Sequence, residues 1–448
     1  MDDHLSELAR HFGRSDNAFK AVEYLRLAGE QAARRSALSE AEVYLRQALD
    51  RVKLLPAENR RDRAELAVQF ALGSALSAES WGAPEKIRAF ERVSELATRL
   101  GAEAEVFPAL WHLAEAYLVQ EKLTRAHELA QQALHVAETA NDRRFLLGGH
   151  DVVGEVALWS GNLRVSRAHT MAALELYDRA IDQDLVPYYG MDPLSLFCIT
   201  LAYAECAMGR CDLALKLCRD AQVRATEVSH ILSSAFSLLA VMTVHYMCRE
   251  VEQAEAAAAE VVPICREHGF SEALGWGCWV LGWAMLERHR LNEGLQMMAE
   301  AMKLHESIGG TVATPWRRGV LAEGCAKNAR LDDAQEELRQ ALDAADQTRG
   351  HFFDAELCRI GGEIALRCDP QDQRAAERDF RQAIALAKQQ DARLWELRAT
   401  VSLARLLYDS NRRDEARSVL AEIYNWFTEG FDLPDLKEAR TLLDELNR

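Results

Sequence analysis

The chain has 448 residues, 49% apolar and 27% charged, with a formal net charge of −17. Its 24 glycines and 9 prolines are too few for turn-rich all-β sandwiches and barrels, and its apolar share is too high for a disordered chain. The acidic balance leaves no basic field to attract phosphates, which argues against non-specific nucleic-acid binding.

The N-terminus, Met1-Asp2-Asp3-His4, opens acidic and shows no apolar core of a signal peptide. A helix over 3–12 follows without a partner of its own, as though the array began within a unit. Residues 1–16 are therefore expected to be a leading helix left from an upstream unit. Further on, Ala126, Ser166, Ala214, Ala254, Gly294, Ala334, Ala376 and Ala416 each open a helix after a short polar turn, at gaps of 40, 48, 40, 40, 40, 42 and 40. Apolar or small residues stand four and seven positions after each of these anchors, on the same helix face. Turns such as Gly209-Arg210-Cys211-Asp212-Leu213 and Ser410-Asn411-Arg412-Arg413-Asp414 predict Gly or Asn ending one helix and Asp or Asn capping the next.

Twelve residues before the anchors come Ala114, Gly154, Ala202, Met242, Gly282, Ala322 and Ala404. Small then larger on one helix, followed by Ala and an apolar residue on the next, is similar to the tetratricopeptide (TPR) pattern with about one extra turn per helix. Armadillo and HEAT arrays share that length but not this spacing. Lengthened turns at 80–84, 182–193 and 368–370 explain the irregular gaps, and the register reaches upstream through Ala89 and Ala41. The prediction is an all-α, right-handed superhelical solenoid of about ten TPR-like hairpins with a period of about 40, spanning 17–430. A capping helix lies in 431–448, with Leu436, Ala439, Leu442, Leu443 and Leu446 on one face. Neighbour-to-neighbour burial predicts that truncation weakens such an array progressively.

Three stretches carry a more specific likeness. Leu8-Ala9-Arg10-His11-Phe12 is followed by Lys20-Ala21-Val22-Glu23-Tyr24; Asp354-Ala355-Glu356-Leu357-Cys358-Arg359 precedes Trp395-Glu396-Leu397-Arg398-Ala399; and the end reads Tyr424-Asn425-Trp426-Phe427-Thr428-Glu429-Gly430-Phe431-Asp432. Together they resemble the C-terminal TPR-like region of bacterial signal-transduction ATPases, many fused to class III adenylate/guanylate cyclase domains, with a related array in maltose-regulator-type activators. The resemblance implies a sensory or autoinhibitory array whose chemistry sits upstream. Neither GxxxxGK[ST] nor paired metal-binding aspartates in a strand context occur in this sequence.

HExxH, GxSxG and GxGxxG are also absent, and the thirteen histidines form no i, i+4 ligand pair. No catalytic residues are expected, and an enzyme acting in a groove is a remote alternative. The ten cysteines contain no CxxC pair, and Cys206, Cys211 and Cys218 lack zinc-finger spacing, so no metal or cofactor is expected. Arg317-Arg318 and Arg412-Arg413 read as helix caps or partners of nearby acids rather than DNA contacts. The longest apolar stretch, 231–247, includes Ser233, Ser234, Ser237, Thr243 and His245 and falls short of the roughly 20 residues that span a bilayer. A soluble, cytoplasmic protein with no membrane partner is expected.

The aromatic segment Gly275 to Met285 supplies the best candidate site. Cys278, Leu281, Gly282 and Met285 take the packing positions, which leaves Trp276, Trp279 and Trp283 as a separate stripe at i, i+3 and i+7. In a TPR register the stripe faces the concave groove, joined by Tyr203, Phe236, Tyr246 and Trp316, with Glu155 and Glu323 adding charge. The wider core of a longer repeat would use the same stripe, so groove and core both stand at this point. The expected function is a non-catalytic module that binds a protein or peptide partner, or a small effector. The alternative is a stand-alone scaffold or homo-oligomer using the same surface.

Overall fold

A computed structural model describes residues 4–78, 80–182, 185–371 and 373–448, and these contain helices and turns but no strand. Met1, Asp2 and Asp3, where the acidic opening and the start of the leading helix were placed, lie outside the described residues. A first helix, α1 (Leu5–Gly13), is followed by α2 (Ala18–Arg34) and α3 (Leu38–Val52), then α4 (Asn59–Ser77) and α5 (Pro84–Leu100). Next come α6 (Glu103–Val119) with α7 (Leu123–Ala140), and α8 (Arg143–Trp159) with α9 (Leu163–Leu176). One short turn of helix, α10 (Val186–Tyr189), lies in the predicted long connection. The hairpins resume as α11 (Pro193–Ala207) with α12 (Cys211–Val228), α13 (Ile231–Met247) with α14 (Val251–His268), and α15 (Ser271–Glu287) with α16 (Leu291–Ser307). Then follow α17 (Thr314–Lys327) with α18 (Leu331–Thr348), α19 (Asp354–Cys368) with α20 (Gln373–Gln390), α21 (Arg393–Asp409) with α22 (Arg413–Tyr424), and finally α23 (Pro434–Leu446). The result is an all-α solenoid of TPR-like hairpins. The leading helix is not unpartnered: Leu5 and Ala9 are buried in one cluster with Val22 and Leu25 of α2.

One turn chemistry repeats through the array. Five residues before seven of the eight anchors (all but Ala376), Glu121, Gly161, Gly209, Arg249, His289, Ala329 and Asn411 adopt positive φ, between 53° and 85°. The next amide then bonds back five residues, as in Lys122 N–H to the Tyr117 carbonyl (2.8 Å) and Arg412 N–H to Leu407 (2.8 Å). This is the left-handed termination that frees one helix from the next. Glycine serves it at only two of these seven positions, although other residues are disfavoured there. The expected Asp caps are corrected by the structure. Asp212, Asp332 and Asp414 stand second in α12, α18 and α22, where they meet the positive helix end without capping it, and the cap positions are Arg210, Arg330 and Arg412. Asn162 alone among these turns caps as predicted, accepting from Val165 N–H.

Small residues set how closely the paired helices approach. A Cβ on Gly282 would come within 2.9 Å of the Gly294 carbonyl oxygen, and one on Gly294 within 2.6 Å of the Gly282 oxygen, so α15 and α16 touch backbone to backbone. Ala114, Ala126, Ala202, Ala214, Ala322 and Ala334 fill the equivalent positions with no exposed surface. First helices pack on first helices of neighbouring hairpins, for example α11 on α13 and α13 on α15, and so form an inner wall. Their burial on nearly every side follows: α11 has buried residues at twelve of its fifteen positions. Second helices such as α18 bury one stripe and cover the outside.

The coil is wound tightly enough to touch itself. Thr311 and Val312 N–H both donate to the Val119 carbonyl at 2.8 and 2.9 Å, and Thr314 N–H donates to Glu121 Oε1 at 2.7 Å. Trp81 N–H donates to Glu272 Oε2 at 2.9 Å. Further along, Arg164 pairs with Asp391, Asp212 N–H donates to Glu429 Oε1 at 3.1 Å, and Arg249 pairs with Asp435 at 3.4 Å. These contacts join residues 186 to 227 apart in sequence, about five hairpins on, and make a seam along the superhelix. Neighbour-only burial therefore does not describe this array. No helix among the described residues is long and apolar enough to cross a membrane.

Candidate functional site

Behind the seam the inner wall encloses two adjoining cavities that share Trp316 and Phe353. The first has a volume of about 260 Å³ and is ionic: six basic and six acidic side chains line it. Arg359 bonds Glu356 Oε1 at 3.0 Å and Glu323 Oε1 at 3.2 Å, and Arg398 bonds Asp435 at 2.7 Å. Burial opposes ionisation of Glu323, yet the charges of Lys327, Arg359 and Arg249 outweigh it and hold its carboxyl below the ordinary range. Burial likewise works against the Arg359 and Arg398 guanidiniums and is overcome by their carboxylate partners. Most of these charges pair with one another, as Lys327 does with Glu287 at 2.6 Å and Arg405 with Glu438 at 2.7 Å.

The second cavity, of about 100 Å³, has mostly apolar walls. Trp81, Trp276, Phe236 and Phe352 enclose it, and Glu115, Glu155 and Glu272 reach it. Behind these carboxyls Lys86 is wholly buried, with its Nζ 4.4 Å from the centre of the Trp81 ring. Among the described residues neither Lys86 Nζ nor Glu115 Oε1 has a hydrogen-bond partner. Burial lowers the Lys86 amine to about 7 against the pull of Glu115, Glu272 and Glu155. Burial also pushes Glu155 up to about 7, and burial with the neighbouring Glu155 and Asp151 charges raises Glu115. Burial thus disfavours the charged form of all three groups.

The sequence-derived residues fall in three places. Tyr203, Phe236, Trp276 and Glu155 line the apolar cavity, while Tyr246, Trp283 and Glu323 line the ionic one. Trp316 is the wall between them. Trp279 is different: it has no exposed surface and packs against Tyr246, Trp276 and Trp316 at ring separations of 5.3, 6.4 and 5.0 Å. The stripe is thus divided, with Trp276 and Trp283 at the surface of the interior and Trp279 in the core behind them, turned away by its three-residue offset.

Residues not singled out from the sequence include Glu115, Arg359, Glu363, Arg398 and Arg405. A signal for several of them was present. Eleven residues before seven of the eight anchors (all but Ala376) stand Glu115, Glu155, Tyr203, Thr243, Trp283, Glu323 and Arg405, and these seven line a cavity. Seven residues earlier the same holds for Leu196, Phe236, Trp276, Trp316 and Arg398. Two turns of one helix face therefore report the interior, whatever residue type they carry. The arginine pairs behave as local partners: Arg318 bonds Glu337 at 2.8 Å, and Arg413 donates to the Leu446 carbonyl at 2.8 Å at the end of α23. Arg317 is instead buried over the Trp276 ring at 4.8 Å.

No protein-family profile matches the chain. The uncharacterized protein R02095 of Rhizobium meliloti (strain 1021) is 22% identical over 414 residues, covering 89% of this chain and 39% of that protein. The chain thus spans about two fifths of the length of that relative. Among solved structures, a Rap protein complexed with competence and sporulation factor superposes with a TM-score of 0.57 at 13% identity, over 82% of this chain and 98% of that one. The Rap conjugation gene regulator of the plasmid pLS20, in complex with the Phr* peptide, gives 0.50 at 11% identity, over 86% and 96%. A signal-transduction ATPase (STAND) protein with a tetratricopeptide repeat sensor, from Pyrococcus horikoshii, gives 0.43 at 14% identity, over 96% and 67%. At these identities the likeness is one of fold: the chain shares the TPR-like solenoid of the Rap proteins.

Proposed function

We propose that the chain is a non-catalytic binding module whose enclosed interior takes a short peptide. An apolar side chain of the peptide would enter the aromatic cavity while its amino and carboxylate charges meet the ionic one. The observation that carries this reading is the pair of cavities joined at Trp316 and Phe353, one apolar and one lined by six charges of each sign. A free peptide offers that combination, whereas a purely apolar molecule would leave the arginines and carboxylates of the ionic cavity without compensation for lost water. The two Rap structures of the same fold, one solved with competence and sporulation factor and the other with the Phr* peptide, support the reading. The three sequence stretches similar to signalling ATPase and cyclase proteins, and a relative more than twice as long, support a regulatory use in which occupancy is passed to a catalytic unit outside this chain.

Native mass spectrometry of the purified chain, after incubation with a random octapeptide pool, tests the proposal. Selective retention of peptides by the wild type, lost in a folded Trp316→Ala variant, is the expected result. Equal retention by both proteins, or none by either, refutes it.

A further inference from the structure

The three sulfurs of Cys206, Cys211 and Cys248 meet in the wall between two hairpins. Cys206 lies near the end of α11, Cys211 is the first residue of α12, and Cys248 follows the last residue of α13. Cys206 Sγ is 3.9 Å from Cys211 Sγ and 3.7 Å from Cys248 Sγ, and all three lie within 4.8 Å of one another. A triangle with those edges has its centre about 2.1–2.5 Å from each corner, which brackets the roughly 2.3 Å length of a metal–thiolate bond. The sequence drew attention to Cys206, Cys211 and Cys218, but Cys218 lies farther along α12 and is not part of the group. The third sulfur arrives instead from the following hairpin, which no local spacing reveals.

The repeat register shows that these cysteines are a departure. At the position of Cys211 five other hairpins carry Leu123, Leu163, Val251, Leu291 and Leu331, whereas the position of Cys206 varies, with Leu118, Leu158 and Leu286 in three hairpins and Tyr246, Ala326, Cys368 and Tyr408 in four. Pairs of leucines five residues apart thus fill this turn in three hairpins, and here two thiols replace them. Cys211 also begins a helix, where the unpaired amides favour a thiolate. Arg398, which donates to the carbonyl of Met247 beside Cys248, brings a cation close to the group.

We infer that Cys206, Cys211 and Cys248 form a three-coordinate site for a soft monovalent metal ion of the copper(I) class. Thiolates select soft ions, and among the described residues no fourth histidine, cysteine or carboxylate joins the three, as tetrahedral zinc would require. All three cysteines are buried, with at most 1% exposure, so a water as fourth ligand would also have to be accommodated in a packed wall. Filling the site would tie α11, α12 and α13 together, and its occupancy does not depend on the peptide reading above.

The test is an anaerobic titration of the reduced full chain with copper(I), supplied from a chromophoric copper(I) chelator and followed by the thiolate-to-metal absorption in the near ultraviolet. One equivalent should bind and raise the melting temperature. Cys206→Ser and Cys248→Ser should each lose that step, and Cys218→Ser should keep it. Circular dichroism identifies any variant that fails to fold, and Cys211→Ala then replaces it. Uptake that is absent, or unchanged in folded Cys206→Ser and Cys248→Ser, overturns the assignment. Preferential binding of one zinc(II) at the same cysteines overturns the three-coordinate soft-ion reading, and so does a disulfide among them in protein isolated under alkylating conditions.

Discussion

Replacing Gly82 by alanine probes the closure of the coil at one atom. An added Cβ would lie 2.5 Å from the carbonyl oxygen of Gly309 and 2.9 Å from Val119 Cγ1. The first obstacle is backbone and cannot swing aside, so the two loops must part by about 0.9 Å to reach an ordinary contact, and overpacking of this kind costs about 1–3 kcal/mol. The same displacement strains the bonds from Thr311 and Val312 N–H to the Val119 carbonyl, now 2.8 and 2.9 Å. Gly310 supplies the control, because a Cβ there meets nothing nearer than 3.7 Å. Denaturant unfolding should place Gly82→Ala about 2 kcal/mol below wild type, with Gly310→Ala within about 0.5 kcal/mol. Hydrogen exchange at Thr311 and Val312 should quicken roughly 30-fold in Gly82→Ala, the equivalent of about 2 kcal/mol in local opening. Equal stability and equal exchange in the two variants would show that the loops do not touch in solution, and the account of a closed interior would fail with them.

Arg398→Met removes the cation bonded to buried Asp435 at 2.7 Å and leaves it the more distant Arg249 at 3.4 Å, and should cost about 3–5 kcal/mol in denaturant unfolding. The double variant with Asp435→Asn should recover part of that loss, since neither charge is then buried alone. Burial pushes Glu121 up to about 7 despite the Thr314 amide and the Arg317 charge. Its proton is held more tightly in the folded chain than in the unfolded one, so stability should fall as pH rises from about 4.5 to 7, and Glu121→Gln should flatten that slope in melts across the window. Trp279→Ala should cost about 3–5 kcal/mol as a core truncation yet leave peptide retention by the folded protein unchanged; lost retention without lost stability would return Trp279 to the cavity surface.

The hairpins were legible because their signal is local. A polar turn with Gly or Asn, a small anchor a few residues on and a small or apolar residue twelve before that anchor recur within one period, and Gly209-Arg210 or Asn411-Arg412 can be read without knowing the rest of the chain. The seam was not legible. Gly82 meeting Gly309, or Trp81 meeting Glu272, depends on the pitch of the whole superhelix, which accumulates from small rotations at every hairpin. The candidate site was half visible. Tryptophan and tyrosine on an inner helix stand out by type, and Glu155 and Glu323 followed from their register. Arg398 and Arg405 share that register, but nothing local shows that Asp435 and Glu438 of α23 come round to face them.

A coil that touches itself also orders the steps by which the chain can fold. Hairpins form from neighbours in sequence, but the Val119–Val312 and Arg249–Asp435 contacts close loops of 193 and 186 residues, so they can form only once the hairpins between them have taken their pitch. The seam should then be the last part to form and, being made of few bonds, the first to open.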